Sequence, residues 1–260
     1  MLSARVAKIG GNELDRPGWL EQCARALKPV EPLVVVHGGG RAITALSERL
    51  RLPVEKRDGL RVTTPEIAEV VEMVLAGPIN RQVVAALRSA GLDALGLAGV
   101  DGGLLTATRA PGDLGHVGEI TGVRTALLES LLLAGLTPVL APIAPPPAPS
   151  AGEDADPRPF NVNADQAAAA VAAALRAAEL LFVSDVPGVA VGGVAQPEIA
   201  VTEIEGLIAS GVARDGMAAK LRAAATALRG GARSVRIGDL SMFQHTSAGT
   251  RIIAAVAEPA

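Results

Sequence analysis

Two hydrophobic periods alternate along the chain. Short, nearly unbroken apolar runs predict buried strands at residues 4–9, 33–36, 94–97, 137–141, 180–184 and 234–237. Between them apolar residues recur at three- and four-residue spacing, which predicts helices over 19–27, 42–50, 164–175 and 216–228. Apolar strands that alternate with such segments mark βαβ units, so the expected fold class is α/β with a mainly parallel sheet. Thr64 before Pro65 is a helix start, a capping hydroxyl followed by proline at the first helical position, and Pro78 should kink or end the helix that follows. Residues 104–108 and 117–121 read as a hairpin with polar ends, expected to cover a site rather than extend the core. The proline-dense stretch 144–159, "APPPAPSAGEDADPRP", is expected to be an exposed loop and the chain's internal boundary.

Composition narrows the function more than the fold. With 49% hydrophobic residues, 260 residues can bury a sizeable core. A net charge of −3, with both signs interspersed, gives no electrostatic footprint for nucleic acid. The single cysteine, Cys23, lies in an amphipathic helical segment, where core packing and a reducing cytoplasm are expected rather than thiol chemistry. No apolar leader opens the chain and no stretch approaches the roughly 20 uncharged apolar residues of a membrane span. A soluble cytoplasmic protein without a membrane partner is the expectation.

The polar groups that break the pattern cluster at the ends of predicted strands. "VVVHGGGRAITALSERL", residues 34–50, runs from strand through three glycines into a helix, which is either an anion site of backbone N–H groups or a tight structural turn. It is not a dinucleotide fingerprint, because Ile43 stands where the third glycine belongs. In "AKIGGNEL" Lys8 ends a buried strand just ahead of Gly10 and Gly11, and a lysine there needs an anion or a carboxylate. "FNVNADQAAAA" sets Asn161, Asn163 and Asp165 at a helix start; capping accounts for Asn163 or Asp165 but not for all three. In "DGMAAKLRAA" Gly216 opens a helix, and Lys220, one turn on, is by itself a solvated helix lysine. "VSDVPGV" turns through Pro187 and Gly188 after a strand, as a nucleotide-edge loop would. His37 shares no metal or triad spacing with His116 or His245 and reads as holding its turn in shape. Two lysines, several glycine turns, an aspartate and no evident general base suit phosphoryl transfer to an acceptor that needs no deprotonation, such as a carboxylate.

In order along the chain, "KIGG", "VVVHGGG", "GLRVT", "VVEMVLAG", "GLAGVDG", "GHVGEI", "TPVLAPI", "NVNADQAA", "SDVPGV", "EIEGLI", "DGMAAKL" and "GTRI" resemble the acetylglutamate kinases of the amino acid kinase family. The resemblance spans nearly the whole chain. It implies one three-layer α/β/α sandwich over residues 1–260, whose N-terminal lobe, about 1–150, binds the amino-acid substrate and whose C-terminal lobe, about 160–260, binds ATP. It implies ATP with Mg2+ held mainly through the phosphates, N-acetyl-L-glutamate as acceptor, and arginine biosynthesis as the setting. Lys8 and Lys220 would be the catalytic cations, Asp165 would orient both, and Gly11 and Gly39 would offer backbone N–H groups to the phosphoryl oxygens. Gly39, Gly40, Arg61, Asn161 and Asn163 would bind substrate, Arg61 through its α-carboxylate. Gly10, Asp185, Val186, Pro187, Gly188, Val189, Ala190, Val212, Ala213, Arg214, Gly216 and Met217 would border the nucleotide. No metal-ligating protein residue is expected. A homodimer with weak or no arginine feedback is expected, because the chain begins almost at its first strand. The rivals are a sister kinase acting on carrier-protein-linked aminoadipate or glutamate, and a non-catalytic amino-acid sensor on the same fold.

Overall fold

The computed structural model describes residues 3–11, 13–57, 59–146 and 156–254. Its strands are β1 (Arg5–Ile9), β2 (Leu33–His37), β3 (Lys56–Arg57), β4 (Leu60–Arg61), β5 (Ala94–Ala98), β6 (Leu105–Arg109), β7 (Val117–Val123), β8 (Thr137–Ala141), β9 (Ile143–Ala144), β10 (Phe160–Val162), β11 (Glu179–Val183), β12 (Ala190–Val191), β13 (Val194–Ala195), β14 (Glu198–Ala200), β15 (Val235–Gly238) and β16 (Thr250–Ile253). Its helices are α1 (Trp19–Leu27), α2 (Gly40–Arg49), α3 (Pro65–Val74), α4 (Asn80–Ser89), α5 (Thr125–Leu133), α6 (Ala164–Ala174), α7 (Ile204–Ala209) and α8 (Asp215–Arg229). The predicted strands and helices are all present, with ends shifted by no more than two residues.

Eight strands form one sheet in the order β14-β16-β15-β11-β1-β2-β8-β5, parallel except between β15 and β16. Every residue of β2 and β8 is buried, as a strand covered on both faces requires. Side-chain alternation then divides the core into two. Val34, Val36, Leu180 and Phe182 pack toward α6 and α8, whereas Leu33, Val35, Leu181 and Val183 pack toward α1, α3 and α4. Lys8 shares the parity of Val6, which belongs to the first of these layers, so β1 turns its lysine toward α6. Alanine lets α6 lie close to its neighbours: Ala167, Ala168, Ala169, Val171 and Ala172 are buried, and a side chain at Gly230 would come within 2.6 Å of Ala173 Cβ.

Thr64 caps α3, its Oγ1 accepting from the Ile67 N–H at 3.3 Å. The helical run is kinked at Pro78, as expected. A single π turn, Leu75–Ile79, absorbs it, with Gly77 at φ −94° and ψ −112°, and the chain resumes helical form at Asn80. An 18-residue window within Pro65–Ser89 has a mean hydropathy of 1.3 and enough length to cross a membrane, yet Val70, Val71, Val74, Val83 and Leu87 are packed in the core.

The hairpin β6–β7 departs from expectation. It joins β10 and β9 in a second, four-stranded sheet, and Leu105 and Ala107 enter the same core as Phe160. It therefore does extend the core as well as border the site, because β7 pairs in parallel with β10 and places Val117 in the cavity wall. Most of the proline-rich stretch, 147–155, lies outside the described residues, and with it the expected boundary. Cys23 is buried in α1, and burial pushes its thiol up to about 12.

Candidate active site

The glycine turns after β1 and β2 meet at the C-terminal edge of the sheet, where ligands of open α/β sheets lie. They pack backbone against backbone. A side chain at Gly11 would come within 2.7 Å of the Gly39 nitrogen, and one at Gly39 within 2.6 Å of Leu75 Cδ2. Gly40, by contrast, has open space where its side chain would be. The bareness of Gly11 and Gly39 is thus demanded by the protein itself, whereas that of Gly40 leaves room for something else. Beneath the turns a cavity of about 250 Å³ is lined by Lys8, Gly10, Gly11, Gly39, Gly40, Arg61, Asn161, Asn163, Asp165 and Lys220. Ten predicted site residues, from five separate stretches of sequence, converge there.

Its charges are mostly buried. Lys8 Nζ lies 2.8 Å from Asp165 Oδ1, with both side chains less than a tenth exposed, so each supplies the counter-charge that the other needs. Lys220, one turn into α8, is half-buried and reaches only the Gly216 carbonyl, at 3.5 Å. Burial pulls its pKa below the usual lysine value, and the Lys8 charge adds to this; Asp165, Glu13 and Asp185 oppose it. Among the described residues Asp165 forms its ion pair with Lys8, and its charge also favours the protonated form of Lys220. Glu13 was not singled out in the sequence. It lines the same cavity, 5% exposed, in a short turn following Gly11. A glutamate two residues past a glycine pair reads as a surface residue, and only its tertiary position reveals it.

Arg61 is held by the first turn of α2: Nη2 donates to the Gly40 carbonyl at 2.9 Å and to Thr44 Oγ1 at 2.7 Å. Nη1 is buried and has no partner among the described residues, in a side chain that lines the cavity. A donor so placed suits a planar carboxylate. Asn161 on β10 donates through Nδ2 to Thr63 Oγ1 at 3.1 Å, which leaves its carbonyl oxygen for a ligand. Asn163 is first of all the cap of α6, its Oδ1 accepting from the N–H groups of Asp165 and Gln166 at 2.9 and 3.2 Å. Only its amide nitrogen is left to face a substrate, so the capping explanation holds for Asn163 and fails for Asp165.

Apart from Gly10, the residues expected at the nucleotide lie outside this cavity. Asp185, Val186, Pro187 and Gly188 turn after β11 and lead through Val189 to Ala190 in β12. Thr250 Oγ1 anchors that turn, accepting from the Val189 N–H at 2.8 Å and donating to the Gln196 carbonyl at 2.6 Å. Val189 and Ala213 are core residues, 1% and 2% exposed, whose side chains pack inward. Val212 is exposed, Arg214 precedes α8 and donates to the Gly211 carbonyl at 2.6 Å, and Gly216 and Met217 lie in its first turn. This group touches the cavity at its Lys220 end, through Gly216 and the field of Asp185. Among the described residues no three carboxylates, histidines or thiols cluster as a metal cage would require.

His37 holds the glycine turn from below. It is fully buried, with Nδ1 3.0 Å from the Gly38 carbonyl and Nε2 3.1 Å from Asn80 Nδ2, so Nδ1 carries the proton and Nε2 accepts. Asn80, also unmarked in the sequence, donates its second hydrogen to the Val139 carbonyl at 2.9 Å. Burial lowers the His37 pKa from 6.5 to about 4. Because the folded value is the lower one, the unfolded chain binds the extra proton between these limits, so stability is lost as pH falls from 6.5 toward 4. Chemical denaturation across that range should show a slope from this group of up to about 1.4 kcal/mol per pH unit. His37→Gln should flatten it; an unchanged slope would contradict the assignment.

Residues 3–239 match the model of the amino acid kinase family. The acetylglutamate kinase of Chloroflexus aurantiacus is 48% identical over 245 residues, 93% of this chain and 94% of the relative. That of Geobacillus kaustophilus is 42% identical over 245 residues, 92% of each. A solved structure from Streptococcus mutans UA159 superposes with a TM-score of 0.83 at 30% identity, covering 98% of this chain and all of the other.

Proposed function

The chain belongs to the amino acid kinase family, and from that premise we propose that it transfers the γ-phosphoryl group of ATP to the side-chain carboxylate of N-acetyl-L-glutamate, in arginine biosynthesis. The products are N-acetyl-L-glutamyl 5-phosphate and ADP. One observation carries the reading: a single cavity holds the buried Lys8–Asp165 pair, Lys220 and the unpaired nitrogen of Arg61.

A glutamate side-chain carboxyl, with a pKa near 4.3, is already ionised at neutral pH, so the acceptor needs no general base. One carboxylate oxygen forms the bond to γ-phosphorus while the bond from that phosphorus to the bridging oxygen breaks, and its electron pair leaves with ADP. What the protein must supply is alignment and positive charge. Lys8 and Lys220 supply the charge, and the N–H groups of Gly11 and Gly39, which line the same cavity, donate to the phosphoryl oxygens. Arg61 takes the α-carboxylate, and Asn161 takes the acetylamino end. The turn 185–190 and residues 212–217 take the nucleotide. Asp165 is committed to Lys8, so Mg2+ would ride on the nucleotide phosphates and water, where it neutralises charge on the transferring group. On this reading the first half of the chain holds the acceptor and the second the nucleotide, and the protein acts in the cytoplasm. A homodimer is also proposed, supported by the edge strand β5 and its exposed Leu95.

Coupled ADP release should appear with N-acetyl-L-glutamate and be at background with glutamate, whose α-ammonium would enter a pocket already holding Lys8, Lys220 and Arg61. Turnover only of carrier-linked aminoadipate would assign the sister activity instead, and no turnover of any acceptor would leave a sensor.

A further inference from the structure

Glu13 is the one cavity carboxylate to which the reading above gives no work. The residue is 5% exposed, and Oε2 is buried with no hydrogen-bond partner among the described residues. It lies directly over the first glycine turn, since any side chain at Gly10 would collide with the Glu13 carboxylate. It lines the same cavity as Lys8, Asp165 and Lys220. A buried carboxylate left unpaired is costly, and such a cost persists where a charge is needed.

The lysines show what needs it. Lys8 has Asp165 at 2.8 Å, whereas among the described residues Lys220 has no ion pair, only a carbonyl at 3.5 Å. We propose that Glu13 is a positioning residue for Lys220: the unpaired carboxylate over Gly10 draws the Lys220 ammonium toward the cavity and holds it charged there. Asp165 then pairs with Lys8 directly and acts on Lys220 at longer range, and Glu13 adds a second carboxylate facing Lys220. The groups facing Lys220 are Lys8 from β1, Asp165 from α6, Glu13 from the turn after β1 and Asp185 from the turn after β11. Burial and Lys8 favour loss of its proton; Asp165, Glu13 and Asp185 oppose that loss.

This inference rests on Lys220 acting as a catalytic cation, and its test separates the two ideas. Glu13→Gln keeps the shape and removes the charge. In the ligand-free protein, lysine 13Cε shifts followed against pH should show Lys220 titrating at lower pH in the variant than in the wild type. The thermal midpoint should hold or rise, because an unpaired buried charge has been removed. With N-acetyl-L-glutamate and ATP, kcat should fall roughly 10-fold or more, its basic limb should move to lower pH, and both KM values should stay within about 2-fold. Glu13→Asp, which keeps the charge, should return the Lys220 titration toward the wild-type position. An unmoved Lys220 titration, or a lower thermal midpoint with an unmoved pH profile, would overturn the proposal. If the wild type fails to phosphorylate N-acetyl-L-glutamate, the functional reading fails while the lysine titration still decides the role of Glu13.

Discussion

Exchanging Lys8 for methionine should lower kcat roughly 100- to 1000-fold, the loss that follows removal of one preorganised charge from a developing anion. KM for ATP and for N-acetyl-L-glutamate should change little, because a group that acts on charge developing in the transition state contributes little to ground-state binding. The same change strands Asp165. With its side chain about nine-tenths buried and its partner gone, the carboxylate should cost the fold about 3–5 kcal/mol. The double variant Lys8→Met, Asp165→Asn removes both charges, so it should recover most of that stability in denaturant unfolding while kcat stays low. Recovery of kcat together with stability would mean that the pair is structural and that Lys8 has no part in the chemistry. A Lys8→Met enzyme within about 3-fold of wild-type kcat would sink the assignment outright.

Arg61→Lys should act on the other substrate and the other constant. Lysine keeps the charge but loses the fork, so it cannot bond the Gly40 carbonyl and Thr44 Oγ1 while presenting a further N–H to the cavity. A hydrogen bond between charged groups contributes about 1.5–3 kcal/mol, which corresponds to KM for N-acetyl-L-glutamate rising roughly 10- to 100-fold. KM for ATP and kcat should stay within a few-fold in initial-rate measurements. A rise in KM for ATP instead would place Arg61 on the nucleotide side. Thr44→Val offers a milder form of the same effect, since it frees Nη2 from one of its two anchors.

Much of this is legible in the sequence because the signals are local. β2 reads as buried from four consecutive apolar residues, and the cap of α3 follows from Thr64 and Pro65 alone. Lys8 and Asp165 were conspicuous because each breaks an apolar pattern, and a charge in such a place must be answered. What stayed hidden depends on tertiary proximity. Glu13 and Asn80 sit in stretches where a polar residue is unremarkable, and their importance arises only where distant segments bury them. The dual role of β6–β7 was missed because its short alternating strands do not state which sheet they will join; the partner β10, three residues long, is too brief to announce itself. The crowding of the glycines is hidden for the same reason. Sequence shows that Gly11 and Gly39 lack side chains, but not that each is crowded by the protein rather than by a ligand.

The π turn at Leu75–Ile79 places one residue more in the helical path than a regular α-helix would hold. Each helical residue advances about 100° around the axis, so that single extra residue sets the rotational phase of everything after it. In a helix without it, Asn80 would point about a quarter-turn away from His37, and Val83 and Leu87 would leave the core with it. The turn also supplies Leu75, which packs against Gly39. Pro78 thus belongs to a counting device: the chain aims its second helix at the floor of the cavity by miscounting once, in the right place.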